Sequence, residues 1–325
     1  MQSLSAFFRL VRWPNLVFII LTQFLFYYCV MLPAYAVAGA PPALNWLQLG
    51  LLSLASVLIA AAGYIINDYF DVNIDLINKP GKLIVNRFIN RRWAMLWHLF
   101  LSFGGIVISV WLAFRLHFYL LPLFNLGCVF LLFVYSLSLK RQLLSGNILI
   151  SVLTAWVVGV LLTVGMNDDL LHQLRHHQQP ELLMPMVDYA RFSRIGILYA
   201  AFSFVISMVR EVVKDMEDAE GDARYGCKTL PIVWGFTAAK VFVGTWLIVL
   251  IGSLAILQIY VLQFHWWLSA FYCFGLIVLP LLYVFQLLVR ATSPAHFHRI
   301  SSLVKFIMLA GILSLLFFKY YQAPL

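Results

Sequence analysis

An all-α bundle of about nine transmembrane helices is the fold class that the sequence predicts, and three observations predict it. First, 63% of the 325 residues are hydrophobic and 11% are charged, where a soluble domain carries about 25% charge. Second, nine apolar runs begin near Leu16, Leu47, Trp93, Phe118, Asn147, Ile195, Lys240, Trp266 and Ser301, each approaching the roughly 20 residues that cross a bilayer. Third, lysine and arginine gather at alternate ends of these runs. The connections leave no soluble segment large enough to build its own core, so residues 1–325 read as one membrane domain.

Taken in order, the first run extends from Leu16 to about Pro33, after Arg9 and Arg12 and before the small-residue segment AYAVAGA. That arrangement resembles a signal sequence, but the run exceeds the roughly 7–15 residues of a signal core, so it reads as the first span. The second run ends in NDYFDVNID and the sixth in REVVKDMEDAEGD. The Phe118 run is the weakest, being interrupted by Pro122 and Asn125. A polar insertion from Asn167 to about Arg194 carries His172, His176 and His177 at a helix-compatible spacing; it reads as an exposed outer loop rather than a metal site. Cys29, Cys128, Cys227 and Cys273 lack the close spacing of redox or zinc motifs and read as buried or incidental.

Cytoplasmic loops retain lysine and arginine, which sets the orientation. With the N-terminus inside, the inner segments hold fifteen basic residues and the outer ones five. Both acidic segments then face the cytoplasm, and the four spans between them allow them to meet. The net charge of +9 follows from this topology and gives no reason to invoke nucleic acid. A base beside an anionic leaflet also gains about 1 kcal/mol.

Nine of the thirteen carboxylates fall in the two acidic segments. Each carries Asp-x-x-Asp-x-x-x-Asp: Asp68, Asp71 and Asp75, then Asp215, Asp218 and Asp222, 147 residues later. On a helix these positions share a face. Close like charges repel, and a cation relieves that repulsion. Oxygen ligands of this kind suit magnesium, which shares phosphate oxygens with a substrate, so the six aspartates and Asn67 are the expected metal ligands. A magnesium diphosphate site at the mouth of an apolar bundle fits a prenyl diphosphate, whose allylic C–O bond ionises as diphosphate leaves. Asp68, Asp71, Asp215 and Asp218 are the expected catalytic positions, acting through stabilisation of the leaving group. Lys79, Lys140, Arg210, Lys214 and Lys228 are expected to hold phosphate, and Tyr64 and Tyr135 to turn ring faces toward the cation. The repeated triad also suggests an internal duplication.

These motifs resemble the UbiA superfamily of intramembrane prenyltransferases, marked by NDxxDxxxD followed by a second DxxDxxxD. The resemblance covers nearly the whole chain and includes Arg12 and Asn15 before the first span, YSLSLK from Tyr135 to Lys140, Asn147, and the run from Tyr225 to Pro231. It departs at Lys79-Pro80-Gly81-Lys82, where the family carries Arg-Pro and a further Pro, and in the long outer insertion. The resemblance implies nine spans around a cavity open to lipid and capped by the Asp-rich segments, with Mg2+ as cofactor and Arg12, Asn15 and Asn147 beside the substrate. REVVKDMEDAEGD with KTLPI is most similar to members that move a geranylgeranyl group from its diphosphate to the hydroxyl of geranylgeranylglycerol phosphate. The alternative is prenylation of an aromatic quinone precursor, hydroxybenzoate or dihydroxynaphthoate. An ion-coupled transporter is remote, because its acids belong near the midplane and these lie at span ends. The implied partners are a prenyl diphosphate donor, a lipophilic acceptor and the bilayer, with no nucleic acid and no obligate protein partner.

Overall fold

The computed structural model describes residues 2–78, 81, 83–178 and 187–321. In chain order the helices are α1 (Gln2–Leu10), α2 (Trp13–Phe26), α3 (Leu32–Ala38), α4 (Trp46–Asn78), α5 (Arg91–Leu116), α6 (Leu121–Leu137) and α7 (Ser145–Gln178). They continue with α8 (Tyr189–Arg224), α9 (Leu230–Val233), α10 (Gly235–Leu262), α11 (Trp267–Cys273), α12 (Leu279–Arg290), α13 (Pro294–Leu313) and α14 (Leu316–Tyr320). Among the described residues there is no strand, only the isolated bridge Val85–Ile89.

Among the described residues eight helical segments are long and apolar enough to cross a membrane, and α6 is a shorter apolar helix of 17 residues. The count of eight, against the nine expected, has a local cause. His117 closes α5 in a left-handed conformation, and helix resumes only at Leu121 because Pro122 fits the first turn, where its missing N–H costs nothing. Asn125, the polar interruption, is buried and donates to Ser109 Oγ of α5 at 2.6 Å, the kind of bond that joins helices in an apolar setting.

Two spans contain π-turns, Tyr27–Met31 between α2 and α3 and Phe274–Val278 between α11 and α12. Each is followed by Leu-Pro, at Pro33 and Pro280. Proline withholds a backbone donor and crowds the carbonyl four residues back. The wider turn accommodates that mismatch inside a continuous helix.

The spans close a ring: α2 packs on α4, α4 on α6, α6 on α7, α7 on α8, α8 on α13, and α13 back on α2. Burial follows from this. One core joins α8, α10, α12 and α13, and another joins α2, α4, α5 and α7. On the outside Phe100, Phe103, Leu123, Phe130, Val241, Ile256 and Phe271 are exposed. An apolar exterior over hydrogen-bonded helices is what lipid requires.

The outer insertion differs from expectation. α7 runs through to Gln178, so His172, His176 and His177 lie on its last turns rather than in a loop. The reason is composition: residues 167–178 alternate good helix formers with polar groups and contain neither glycine nor proline. Asp168 anchors this end, accepting from Tyr35 Oη at 2.7 Å and Tyr189 Oη at 2.9 Å. His172 Nε2 stands 3.9 Å from the same carboxylate. Cys29, Cys227 and Cys273 are buried and Cys128 is half-buried.

Candidate active site

The two acidic segments are the final turns of the two helices α4 and α8, of 33 and 36 residues. At 1.5 Å per residue each spans about 50 Å, against a hydrocarbon core of about 30 Å, so their last turns stand beyond the apolar layer. One face of α4 presents Ile59, Ala60, Gly63, Tyr64, Asn67, Asp68, Asp71, Asp75 and Asn78 to a central cavity. One face of α8 presents Phe202, Ile206, Arg210, Glu211, Lys214, Asp215, Asp218 and Asp222 to the same cavity. Steps of three and four residues keep each row aligned. Both rows pass from apolar to charged in the same direction, so the cavity, of about 940 Å³, has an apolar depth and a charged mouth. Its size is at the upper end of small-molecule sites, about 300–1,000 Å³.

The two segments touch. Gly221 N–H donates to Asn78 Oδ1 at 2.9 Å, and Asn78 Nδ2 reaches Asp222 Oδ1 at 3.5 Å. A Cβ at position 221 would sit 2.2 Å from Asn78 Oδ1, so only glycine permits this approach.

Cations hold the carboxylates in place. Arg12 donates to Asp68 at 2.7 Å, and its guanidinium lies 5.0 Å from the Tyr64 ring centroid. Desolvation works against the Arg12 charge, but Asp68, Tyr64 and Asp75 together outweigh it and hold the guanidinium above its ordinary range. Arg12 has φ +51°, which turns the chain between α1 and α2. A non-glycine residue in this region is under strain of the kind found at functional sites. Asn15 donates to Tyr64 Oη at 3.2 Å, and Asn67 to Asp71 at 2.8 Å. Lys140 pairs with Asp71 from the short turn Leu139–Arg141, the two side chains being only 10% and 16% exposed. Gly146 lets that turn pack close, since a Cβ there would meet the Lys140 Cα at 2.8 Å. Asn147, buried, donates to Asp215 at 2.8 Å. Glu211 accepts from Arg210 at 3.0 Å and from Lys214 at 2.9 Å.

Of the residues expected from sequence, Arg12, Asn15, Tyr64, Asn67, Tyr135, Lys140, Arg210, Lys214 and all six aspartates line the one cavity. Asn147 acts from behind through Asp215. Lys228 is not among the lining residues; it is exposed, and its backbone N–H donates to the Arg141 carbonyl at 2.7 Å. Lys79 lies outside the described residues. Sequence reasoning missed Asn78, Glu211, His298 and Lys305, which also line the cavity. Asn78 could have been found, because it continues the Asp68, Asp71, Asp75 face by one more step of three. Lys305 was signalled only by being a lysine inside an apolar run.

Among the described residues no three His, Cys, Asp or Glu groups are gathered closely enough to hold a metal unaided. The donor set still fits magnesium. Magnesium binds through one or two carboxylates and completes its octahedron with water and substrate phosphate, and Asp71 and Asp215 offer carboxylates from opposite walls with amides positioned on them.

Residues 24–317 match the model of the UbiA prenyltransferase family. The chain belongs to that family. Its UbiA character and apolar helices make it a multi-pass membrane protein. The chain is 34% identical over 203 residues to digeranylgeranylglyceryl phosphate synthase of Pyrococcus horikoshii, covering 62% of this UbiA chain and 60% of that relative's length. The fold agrees with that of a structure described as digeranylgeranylglyceryl phosphate synthase in membranes, with TM-score 0.58 and 22% identity over 97% of this chain and 99% of that one. It also agrees with a UbiA homolog from Archaeoglobus fulgidus bound to DMAPP and Mg2+, with TM-score 0.54 and 16% identity over 95% and 98%.

Proposed function

We propose that this UbiA protein transfers a prenyl group from a prenyl diphosphate, geranylgeranyl diphosphate, to the hydroxyl of geranylgeranylglycerol phosphate in ether-lipid synthesis. The observation that carries this reading is the meeting of both Asp-rich segments at the charged mouth of one apolar cavity. The synthase name of the Pyrococcus relative and the DMAPP and Mg2+ of the Archaeoglobus homolog support it.

Asn67, Asp68, Asp71, Asp75, Asp215, Asp218 and Asp222 would hold magnesium, which when bound supplies charge neutralisation for the departing diphosphate. Lys140 and Arg12, already at the mouth, would take diphosphate oxygens as their carboxylate partners turn to metal. Tyr64 and Tyr135 line the wall where the allylic carbon loses its C–O bond, and their ring faces favour the positive charge formed there. The acceptor oxygen forms the new ether C–O bond and gives its proton to a carboxylate of the wall. The apolar depth of Phe18, Leu132, Leu153, Phe202 and Met308 keeps water from the cation.

Residues 1–325 act as one domain, with the N-terminus and both Asp-rich ends in the cytoplasm, as the fifteen-to-five distribution of basic residues supports. A cysteine at exposed Glu220 is then labelled from the cytoplasmic side of sealed vesicles, and one at exposed Arg175 from the other side.

The deciding experiment incubates the purified chain with geranylgeranyl diphosphate and each acceptor, with product analysis by mass spectrometry. The expected product is the digeranylgeranyl ether phosphate, formed with magnesium and abolished by chelation. Exclusive prenylation of hydroxybenzoate or dihydroxynaphthoate assigns the chain to aromatic substrates instead, and turnover undiminished by chelation removes the magnesium role.

A further inference from the structure

Lys305 lies in α13, inside a segment apolar enough to span a membrane, and faces the cavity. An ionisable group at such a position is costly and calls for a partner. Among the described residues it makes no ion pair; its contact is with the Phe18 ring, 5.6 Å from the ammonium to the centroid. It lies within electrostatic range of Arg210 and Arg12, and Lys214 is within range of the same two arginines. α13 packs against both α8 and α2, which carries these four cations toward one another. Among the described residues the carboxylates in ion-pair contact with them are Asp68, on Arg12, and Glu211, shared by Arg210 and Lys214. Neither carboxylate is in ion-pair contact with Lys305. Arg210 Nε is moreover buried without a hydrogen-bond partner, a donor that the protein leaves unused.

The neighbours on α13 say what kind of anion belongs there. One turn toward the mouth are Ser301 and Ser302; one turn toward the depth is Met308, followed by Ile312. Lys305 therefore stands at the border of the polar and apolar regions, where a headgroup would sit with its chain lying inward. A phosphate monoester carries about −1.5 to −2 charge at neutral pH and strong acceptor oxygens, matching the Lys305 ammonium and the open Arg210 donor. The metal-binding aspartates lie on α4 and the last turns of α8, whereas Lys305 and Arg210 come from α13 and the α8 turns that precede Asp215.

We propose that Lys305, with Arg210, forms a second anion subsite that reads the phosphate monoester of the lipid acceptor, separate from the diphosphate site of the donor. This rests on the prenyl-transfer reading for the acceptor's identity, but it is tested by binding rather than turnover. Affinities of the full-length wild-type chain and of Lys305→Gln are measured in chelator for geranylgeranylglycerol phosphate, for the same lipid without its phosphate and for inorganic phosphate. Inorganic pyrophosphate is measured with magnesium present. The expected result is a loss of about tenfold or more for the phosphorylated lipid, unchanged affinity for the alcohol and for pyrophosphate, and much weaker binding of inorganic phosphate than of the lipid. Lys305→Met, which keeps the apolar stem, should behave alike and covers the case in which the glutamine variant misfolds.

An unchanged affinity for the phosphorylated lipid overturns the proposal. An equal loss for pyrophosphate assigns Lys305 to the donor site, an equal loss for the alcohol reduces it to packing, and inorganic phosphate binding as tightly as the lipid removes the lipid from the assignment. If the wild-type chain binds the phosphorylated lipid through Lys305 yet makes no ether product, the prenyl-transfer reading fails while the subsite stands.

Discussion

Lys140, between the fourth and fifth spans, and Lys228, just after the second acidic segment, are both candidates for holding diphosphate when only the sequence is read. The structure separates them. Lys140 is drawn into the cavity on a turn fixed by Gly146 and pairs with Asp71, whereas Lys228 contributes a backbone N–H to Arg141 and leaves its side chain exposed. Lys140→Ala should therefore raise the Michaelis constant for the donor by about tenfold or more. Lys228→Ala, a surface change, should move stability by no more than about 0.5 kcal/mol and leave that constant alone. Asp71→Asn and Asp215→Asn keep the shape of the site and remove its charge, and initial rates should fall by roughly 10²–10³. The aspartates were legible because acids are scarce in an apolar chain and recur at one spacing. Lys305 was not, since its value depends on α2 and α8 lying beside it, which no local pattern reveals.

At the scale of elements, the position of each span could be read to within several residues from hydropathy alone. What could not be read was where a helix persists or stops for local reasons. α6 is short because Pro122 accepts only a first-turn position, and α7 runs on past the apolar layer because nothing in residues 167–178 breaks it. Junctions between elements were likewise hidden. The contact of Gly221 with Asn78 joins the ends of α4 and α8 across 143 residues of sequence. Gly221→Ala should force the pair apart at a cost of about 1–3 kcal/mol. Thermal unfolding in detergent should show the loss, and activity should fall further than Tm suggests because the two acidic rows separate. A variant with unaltered Tm and full turnover shows that the helices meet without that contact.

Across the whole molecule, the ring of spans places one charged mouth at the ends of α4 and α8 and, at the opposite ends, the Asp168 cluster with Tyr35 and Tyr189. The first span runs between them, with Arg12 and Asn15 at the mouth and Tyr35 in the far cluster. The π-turn at Tyr27–Met31 lies between these two attachments. One residue of helix corresponds to about 100° of rotation, so the surplus residue in that turn sets the angular phase of the upper half-span relative to the lower. Wound as ordinary α-helix with no residue removed, the span would swing Arg12 and Asn15 roughly a quarter-turn away from Asp68 and Tyr64 while Tyr35 stays docked, whereas deleting Cys29 removes the surplus residue and keeps the two ends in phase. The expected outcome of the deletion is a protein that keeps donor affinity but unfolds at a lower Tm, because Pro33 again crowds the carbonyl four residues back. A single widened turn in the first span thus acts as a clocking joint, keeping two distant anchor points in angular agreement.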